Sequence, residues 1–388
     1  MNLPNLQIYL RPGIIDLAWG HPAQELLPVA AMQRATTAAL ARHGADALTY
    51  GHPAGPGALI AWLAERIGQQ EGRTPRPEEM LITGGSSHGL DQLLTLCAAP
   101  GDVVLVESPT YHLAVRVLRD HPVELIPVPA DEEGLQVEVL KQRLVALRRA
   151  GKPARLLYTI PAFHNPTGIS YSLARRQALV EVATEAGLLL IEDDVYRELA
   201  YDAPALPSLW SMAPAGVVAR LGSFSKTLAP GVRVGWLTGG SEQVLRLAEG
   251  GLLDSGGGIN HFSALAVAEL CASGDYDEGI TRFRTVYRER RNALLAGLAE
   301  YLPPGCHWYT PGGGFFTWVI LPPELAALDV LPHAEAAGVS FLPGRKFHLD
   351  AEVDRRGENA LRLAFSFYPP DQLTEGVRRL GAVIREML

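Results

Sequence analysis

The chain contains four lysines, and the sequence around one of them suits the chemistry of a reactive amine. Lys226 stands in the segment Gly-Ser-Phe-Ser-Lys-Thr, which follows an apolar, strand-like run. A lysine that attacks a carbonyl carbon must be neutral, and partial burial lowers the pKa of a lysine toward that state. Lys141, Lys152 and Lys346 have the polar surroundings of solvated lysines. Lys226 is therefore the candidate nucleophile, and a solvated loop lysine is the alternative interpretation.

Three more polar groups follow strand-like runs. Asp193 lies in an acidic segment, Asn165 opens the turn sequence Asn-Pro-Thr-Gly, and Ser86 and Ser87 follow a glycine pair. Hydroxyls and backbone N–H groups at a helix start can bind a phosphate, and a carboxylate can keep a pyridine nitrogen protonated. Taken singly, an acidic helix start, a turn and a helix cap explain these segments as well. Their shared position after strands favours one common site.

The elements that must position these residues form an alternating pattern. Short β-rich runs alternate with helices whose apolar residues recur every three to four positions, which predicts an α/β fold with a mostly parallel sheet covered by helices on both faces. Ligands in such sheets bind beyond the carboxyl ends of the strands. The seven predicted strands are 80–83, 103–106, 123–127, 155–160, 188–191, 217–221 and 233–237.

The pattern changes in the last third of the chain, where we predict a smaller α+β domain. Residues Asp275 to Tyr301 read as one long helix, and short strands and helices follow it. We expect a large domain over residues 45–280 and a small domain formed by residues 1–44 and 281–388.

The composition argues against several classes of protein. The 388 residues include 42 acidic and 34 basic ones, for a formal net charge of −8. An acidic chain without a basic run is a poor candidate for binding nucleic acid or an anionic membrane, and no apolar stretch approaches the ~18 residues of a membrane span. Three scattered cysteines are typical of a reducing compartment. We therefore expect a cytoplasmic protein with small-molecule substrates and no metal site.

Taken together and in order, these segments resemble the fold-type I pyridoxal-phosphate (PLP) enzymes, in particular class I/II of the aspartate aminotransferase superfamily. The resemblance runs from about Asp16 to the C-terminus, and each segment alone is weak. The matching positions, in the family's order, are Ser86-Ser87, Tyr111, Asn165-Pro-Thr-Gly, Asp193-x-x-Tyr196, Ser223-x-Ser225-Lys226 and Arg362.

The resemblance implies a role for each matching residue. Lys226 would carry PLP as a Schiff base and move the proton at the substrate Cα, and Asp193 would pair with the pyridine nitrogen. The other implied roles are hydrogen bonds to the ring oxygen (Tyr196, Asn165), stacking on the ring (Tyr111), the phosphate site (Ser86, Ser87, Ser223, Ser225, Arg233), the neighbouring subunit's phosphate (Tyr50) and the substrate carboxylate (Arg362, with Asn165). Tyr50 thereby implies a homodimer with shared active sites.

The choice of substrate side chain depends on the segment that covers the pocket. The segment from Gly20 to Pro28, which in relatives lies over the substrate pocket, offers Gln24 and apolar neighbours but no arginine. His21 or a distant arginine is the alternative source of a charge for a second carboxylate. The resemblance is greatest to the aminoadipate, aromatic and branched-chain aminotransferases, with apolar, aromatic or 2-aminoadipate-like donors and 2-oxoglutarate as acceptor. A PLP-dependent carbon–sulfur β-lyase is the enzymatic alternative. A PLP-sensing regulatory domain without turnover is a third, disfavoured because family-like sequence begins near Asp16.

Overall fold

Three β-sheets organise the chain in the computed structural model, which describes residues 7, 9–349 and 355–388. A large sheet has eight strands, a small antiparallel sheet has four, and two short strands form a separate pair. The strands are β1 Ile15–Asp16, β2 Met80–Thr83, β3 Val103–Ser108, β4 Glu124–Asp131, β5 Gly134–Leu135, β6 Ala154–Thr159, β7 Leu189–Asp193, β8 Val218–Ser223, β9 Gly235–Thr238, β10 His307–Trp308, β11 Phe316–Ile320, β12 Val339–Ser340, β13 Leu342–Pro343 and β14 Ala360–Ala364.

The large sheet confirms the predicted α/β architecture. Its strand order is β2-β9-β8-β7-β6-β3-β4-β5, and the pairs from β8 through to β4 are parallel. Strand β9 runs antiparallel to both of its neighbours. All seven predicted strands are present, and the predicted strand number was too low by one. The eighth is the two-residue strand β5, which pairs with the end of β4 and is too short to give a sequence pattern.

Helices cover the large sheet, so its central strands are buried on both faces. Every residue of β3 and of β8 is buried, including polar ones, as expected for strands in the centre of such a sheet. The helices are α1 Val29–His43, α2 Gly57–Glu71, α3 Ser86–Cys97, α4 His112–Arg119, α5 Val137–Arg149, α6 Leu173–Ala186, α7 Leu209–Met212, α8 Ser241–Ala248, α9 Gly251–Gly256, α10 His261–Ala272, α11 Asp275–Tyr301, α12 Ala327–Ala336 and α13 Pro370–Met387.

The small sheet and the longest helix form a second layer of structure. Helix α11 has the predicted bounds and packs against α13, and the small sheet has the order β10-β11-β14-β13. Within the first 44 residues, β1 pairs with β12, whereas α1 packs against α10. The predicted domain boundaries stay a prediction. Residues 1–6, 8 and 350–354 of the predicted small domain lie outside the described residues.

The topology brings the candidate residues to one edge of the large sheet. Parallel strands β6, β7 and β8 end side by side, so Asp193 at the end of β7 and Ser223 at the end of β8 reach the same edge of the sheet. Strand β14 of the small sheet faces this edge and carries Arg362. Among the described residues, no helix is both long and apolar enough to cross a membrane.

Candidate active site

A cavity of about 750 Å³ lies beyond the carboxyl ends of the central strands and is closed on the far side by the small sheet. It brings together most of the residues singled out in the sequence. The predicted site residues that line it are Gly20, Ser86, Ser87, Tyr111, Asn165, Asp193, Tyr196, Ser223, Ser225, Lys226, Arg233 and Arg362.

Lys226 projects into this cavity from the loop after β8. Its Nζ donates a hydrogen bond to the carbonyl oxygen of Gly20, at 3.0 Å. Burial, helped by the positive charge of Arg362, lowers the pKa of Lys226 to about 8, and the negative charge of Asp193 opposes this change. About a tenth of the amine is therefore neutral at pH 7, far more than for an ordinary lysine, and the neutral form is the one a nucleophilic lysine requires.

Asp193 is a buried carboxylate with one oxygen held and one oxygen free. Tyr158 donates a hydrogen bond to Oδ2 at 2.7 Å, while Oδ1 has no hydrogen-bond partner among the described residues. Burial raises the pKa of Asp193 to about 6, although the Tyr158 hydrogen bond acts in the opposite direction. Tyr158 was missed in the sequence, and its only signal was a tyrosine near the end of an otherwise apolar strand. A free oxygen on a buried carboxylate marks where a cationic donor would bind.

Asp194, the neighbouring acid, faces away from the cavity. Its Oδ2 accepts hydrogen bonds from Arg197 Nε at 2.5 Å and from Arg220 Nε at 2.9 Å. Glu71 lies on the other side of the same arginines. The two adjacent acids therefore do different jobs, since Asp193 lines the cavity and Asp194 balances buried guanidinium charge.

Arg362 and Asn165 form the wall that the small sheet contributes. Arg362 is 3% exposed, and its Nη1 donates to Asn165 Oδ1 at 2.8 Å while its Nη2 donates to the carbonyl of Ala18 at 2.7 Å. The guanidinium stacks on the ring of Phe316, with Cζ 4.1 Å from the ring centroid. Burial lowers the pKa of Arg362 to about 10, so it stays cationic at neutral pH. A buried, oriented cation of this kind suits a carboxylate ligand.

The turn that carries Asn165 is anchored by a buried network that the sequence analysis missed. Glu107 accepts hydrogen bonds from the backbone N–H of Ile160 at 2.7 Å and pairs with His164 Nε2 at 3.0 Å. The other ring nitrogen of His164 lies 2.7 Å from Thr167 Oγ1. Because this network spans the turn, it fixes where the Asn165 amide points. Tyr196 lies beside that amide, fully enclosed, and burial raises its pKa.

Hydroxyls, backbone and one guanidinium converge at the other end of the cavity. Ser86 and Ser87 are the first two residues of α3, and Gly85 before them has φ 97°. Arg233 Nη2 donates to the carbonyl of Gly84 at 2.6 Å, and its Nη1 donates to Ser225 Oγ at 3.2 Å. A Cβ atom on Gly85 would lie 2.7 Å from Arg233 Nη2, so glycine permits this approach. The arrangement is suited to a phosphate group.

Two predicted site residues are placed elsewhere in the single chain. Tyr50 is 83% exposed and is not among the described residues that line the cavity. Gln24 is also exposed, and it lies on a neighbouring groove together with Leu27 and Met32. Trp19 and His21 line the cavity on either side of Gly20, together with Gln7, Arg11 and Asp16. In the sequence, His21 was considered only as a source of charge, and Trp19 was not singled out.

The residues present fit one cofactor well. PLP requires an amine for its aldehyde, a carboxylate for its pyridinium nitrogen and a binding site for its phosphate. Lys226 supplies the amine, the free Oδ1 of Asp193 supplies the carboxylate oxygen, and the Ser86–Arg233 end of the cavity supplies the anion site. The fold and this site define a PLP-dependent enzyme of the α/β class.

Comparisons with known proteins agree with this definition. Residues 12–380 match the family described as aminotransferase class I and II. Aromatic-amino-acid aminotransferase 1 of Thermococcus litoralis is 34% identical over 96% of this chain and 88% of its own length. The 2-aminoadipate transaminase of Thermus thermophilus is 37% identical over 99% of this chain and 93% of its own length.

A solved structure extends the likeness to three dimensions. The α-aminoadipate aminotransferase from Thermus thermophilus, complexed with N-(5′-phosphopyridoxyl)-L-leucine, is similar with a TM-score of 0.85 and 36% identity over 97% of this chain and 93% of that one. The chain belongs to the class I and II aminotransferases. It is a PLP-dependent aminotransferase that acts on amino acids, so the predictions of cofactor and reaction class are confirmed.

Proposed function

We propose that this aminotransferase takes the amino group from apolar, aromatic or 2-aminoadipate-like L-amino acids and passes it to a 2-oxo acid such as 2-oxoglutarate. The observation that carries the proposal is the placement of Arg362, whose guanidinium stacks on Phe316 in the same cavity as Lys226. An α-carboxylate held at Arg362 would leave the substrate side chain against the aromatic wall of the cavity. Aromatic-amino-acid and 2-aminoadipate enzymes among the relatives support this substrate class.

The proposed roles of the chain's own residues follow from the geometry. Bound PLP supplies an electrophilic carbon and an electron-withdrawing ring. Asp193 Oδ1 would accept a hydrogen bond from the protonated ring nitrogen, while Tyr158 keeps Oδ2 in place. Lys226 Nζ would remove the proton from the substrate Cα, and its pKa of about 8 supplies the neutral amine for this transfer. Arg362 would orient the substrate through its carboxylate.

The test begins with the lysine. Borohydride reduction followed by peptide mapping should find the cofactor attached at Lys226, and Lys226→Ala should abolish transfer from leucine or phenylalanine to 2-oxoglutarate. Lys141→Ala is the matched control, because Lys141 lies on the surface and pairs with Glu138. Cofactor attached at another lysine would contradict the site assignment. Release of pyruvate from a cysteine-like donor without any 2-oxo acid would support the β-lyase instead.

We also propose that two copies of the chain share their active sites. Tyr50 is exposed in the single chain, and Leu48, two residues before it, is 71% exposed, so an exposed apolar side chain accompanies the tyrosine. In a two-fold dimer, Tyr50 would reach the partner's phosphate site. A Tyr50→Phe subunit paired with a Lys226→Ala subunit would form one intact site and one site with both lesions. Recovery of activity on mixing supports the dimer, and a monomer in sedimentation would exclude it.

A cytoplasmic location is a further proposal. All three cysteines, Cys97, Cys271 and Cys306, are free, and two of them are buried. Free buried thiols are typical of proteins kept in a reducing compartment. Alkylation of the protein unfolded without reductant should modify all three cysteines. A disulfide to another chain or a small thiol would argue for an oxidising compartment.

A further inference from the structure

The backbone at residues 18–20 is attached to two functional groups at once. The carbonyl of Ala18 accepts a hydrogen bond from Arg362 Nη2 at 2.7 Å, and the carbonyl of Gly20 accepts one from Lys226 Nζ at 3.0 Å. A Cβ atom on Gly20 would overlap the ring of Phe316, so the backbone can pass here only as glycine. Trp19 and His21 flank this glycine. Each is therefore adjacent in sequence to a backbone carbonyl that contacts Arg362 or Lys226.

Each of these two side chains carries a buried polar nitrogen atom. Trp19 Nε1 and His21 Nδ1 are buried and have no hydrogen-bond partner in the described part of the chain. Both residues line the cavity, and their rings meet edge to face with centroids 5.5 Å apart. Buried polar atoms are almost always paired in native proteins, so two unpaired ones beside a reaction centre indicate a ligand.

His21 presents a neutral ring to the cavity. Burial, together with the charges of Lys226 and Arg362, lowers the pKa of His21 to about 4, so the ring is uncharged at neutral pH. A neutral imidazole carries one N–H, and with the proton on Nδ1 it donates in the same manner as the indole of Trp19. Each residue thus combines an apolar ring with a neutral donor.

Nearby cations are already engaged or lie at the surface. Arg11 lines the cavity, but its Nη1 pairs with Glu335 and its Nη2 with Asp16, both at 2.8 Å. Arg362 faces the position of the α-carboxylate. Lys346 also lines the cavity and is exposed, so it is the rival candidate for a second carboxylate.

We propose that Trp19 and His21 form the side-chain subsite of this enzyme, and that it recognises two chemical classes in two ways. The ring surfaces would contact the apolar or aromatic side chain of the amino donor. The Trp19 Nε1–H and His21 Nδ1–H would donate to the distal carboxylate of a dicarboxylate substrate such as glutamate or 2-oxoglutarate. This inference rests on the proposed function, because a transferase that alternates between two substrates must accept both at one place.

The test uses two unreactive acids that differ only in their distal end. Glutarate carries a second carboxylate, whereas 4-methylpentanoate carries the branched end of leucine. We expect Trp19→Phe and His21→Leu, which remove the donors and keep apolar bulk, each to weaken glutarate binding to the holoenzyme roughly tenfold or more in calorimetry. Binding of 4-methylpentanoate should change less than about threefold, since no hydrogen bond is lost.

Lys346→Met is the comparison variant. A selective loss of glutarate binding in Lys346→Met, with none in Trp19→Phe or His21→Leu, would overturn the proposal. Equal losses of both acids in the Trp19 and His21 variants would also overturn it, because they would indicate a merely structural role.

Kinetics of the separate half-reactions keep the two proposals distinguishable. In single-turnover measurements, Trp19→Phe and His21→Leu should slow the reaction with glutamate far more than the reaction with leucine. A wild-type holoenzyme that binds glutarate in the predicted way but converts neither amino acid would refute the proposed function and leave the subsite supported. Conversion of both amino acids with no selectivity change in the variants would refute the subsite alone.

Discussion

Removing the hydroxyl of Tyr158 should change how strongly the enzyme holds its cofactor, and the change should depend on pH. Tyr158 donates a 2.7 Å hydrogen bond to Asp193 Oδ2 in a fully buried setting. A hydrogen bond to a charged group contributes about 1.5–3 kcal/mol, and 1.36 kcal/mol corresponds to one pKa unit. Tyr158→Phe should therefore raise the pKa of Asp193 above its present value of about 6 by roughly one to two units.

The sign of the effect follows from which form of Asp193 binds. Only the ionised carboxylate pairs well with a protonated pyridine nitrogen, so affinity falls as the pH drops through the Asp193 pKa. The ratio of the PLP dissociation constants of Tyr158→Phe and wild type should be about tenfold to hundredfold below pH 6. It should approach unity above about pH 9, where both carboxylates are ionised. Titration of the apoprotein with PLP across this range measures the ratio directly, and effects of Lys226 common to both proteins cancel.

Tyr201→Phe provides the matched control. Tyr201 is also a buried tyrosine, and its hydroxyl donates to the carbonyl of Gly314 instead of to a titrating group. Its loss should leave the pH dependence of PLP affinity unchanged. A Tyr158→Phe ratio that stays constant with pH would show that the hydroxyl acts through packing alone, and an unchanged affinity would refute the role assigned to it.

Three further outcomes test other parts of the site. Asp194→Asn should lower the free energy of unfolding by about 3 kcal/mol, measured by denaturant titration, because it removes a buried counter-charge from two arginines, while turnover per folded molecule changes little. The rate of PLP attachment to the apoprotein should rise about tenfold from pH 6 to 7 and level off above pH 8, since the neutral fraction of Lys226 follows its pKa of about 8; a flat stopped-flow profile would contradict this. Arg362→Lys should raise the KM for the amino acid at least tenfold with a smaller effect on kcat, because an ammonium lacks the planar fork of a guanidinium. Arg378→Lys, at an exposed arginine, should change neither KM nor kcat.

The architecture could be predicted from the sequence where one local pattern determines the element. All seven predicted strands are present because the buried strands of this sheet are short, mainly apolar runs, and helix α11 has the predicted bounds because its apolar residues recur over its whole length. The missing strand β5 is two residues long and forms only by pairing with β4. The same reasoning explains the site: residues in ordered strand-end segments, such as Asp193 and Lys226, were predictable, since parallel strands bring their carboxyl ends to one edge.

What the sequence could not supply is the direction in which adjacent side chains point and what they meet there. Asp193 and Asp194 are equally acidic in the sequence, yet one lines the cavity and the other balances Arg197 and Arg220. Tyr158 looks like any core aromatic until its hydroxyl is found against Asp193. The position of Trp19 was equally unpredictable. It depends on the contacts that Arg362 and Lys226, both distant in the chain, make with the carbonyls on either side of it. Chemistry in this cavity thus depends on burial and on long-range contacts. Desolvation lowers the pKa of Lys226 to about 8 and raises the pKa of Asp193 to about 6. A motif does not show the size of either change, because the size depends on how completely the fold buries the group.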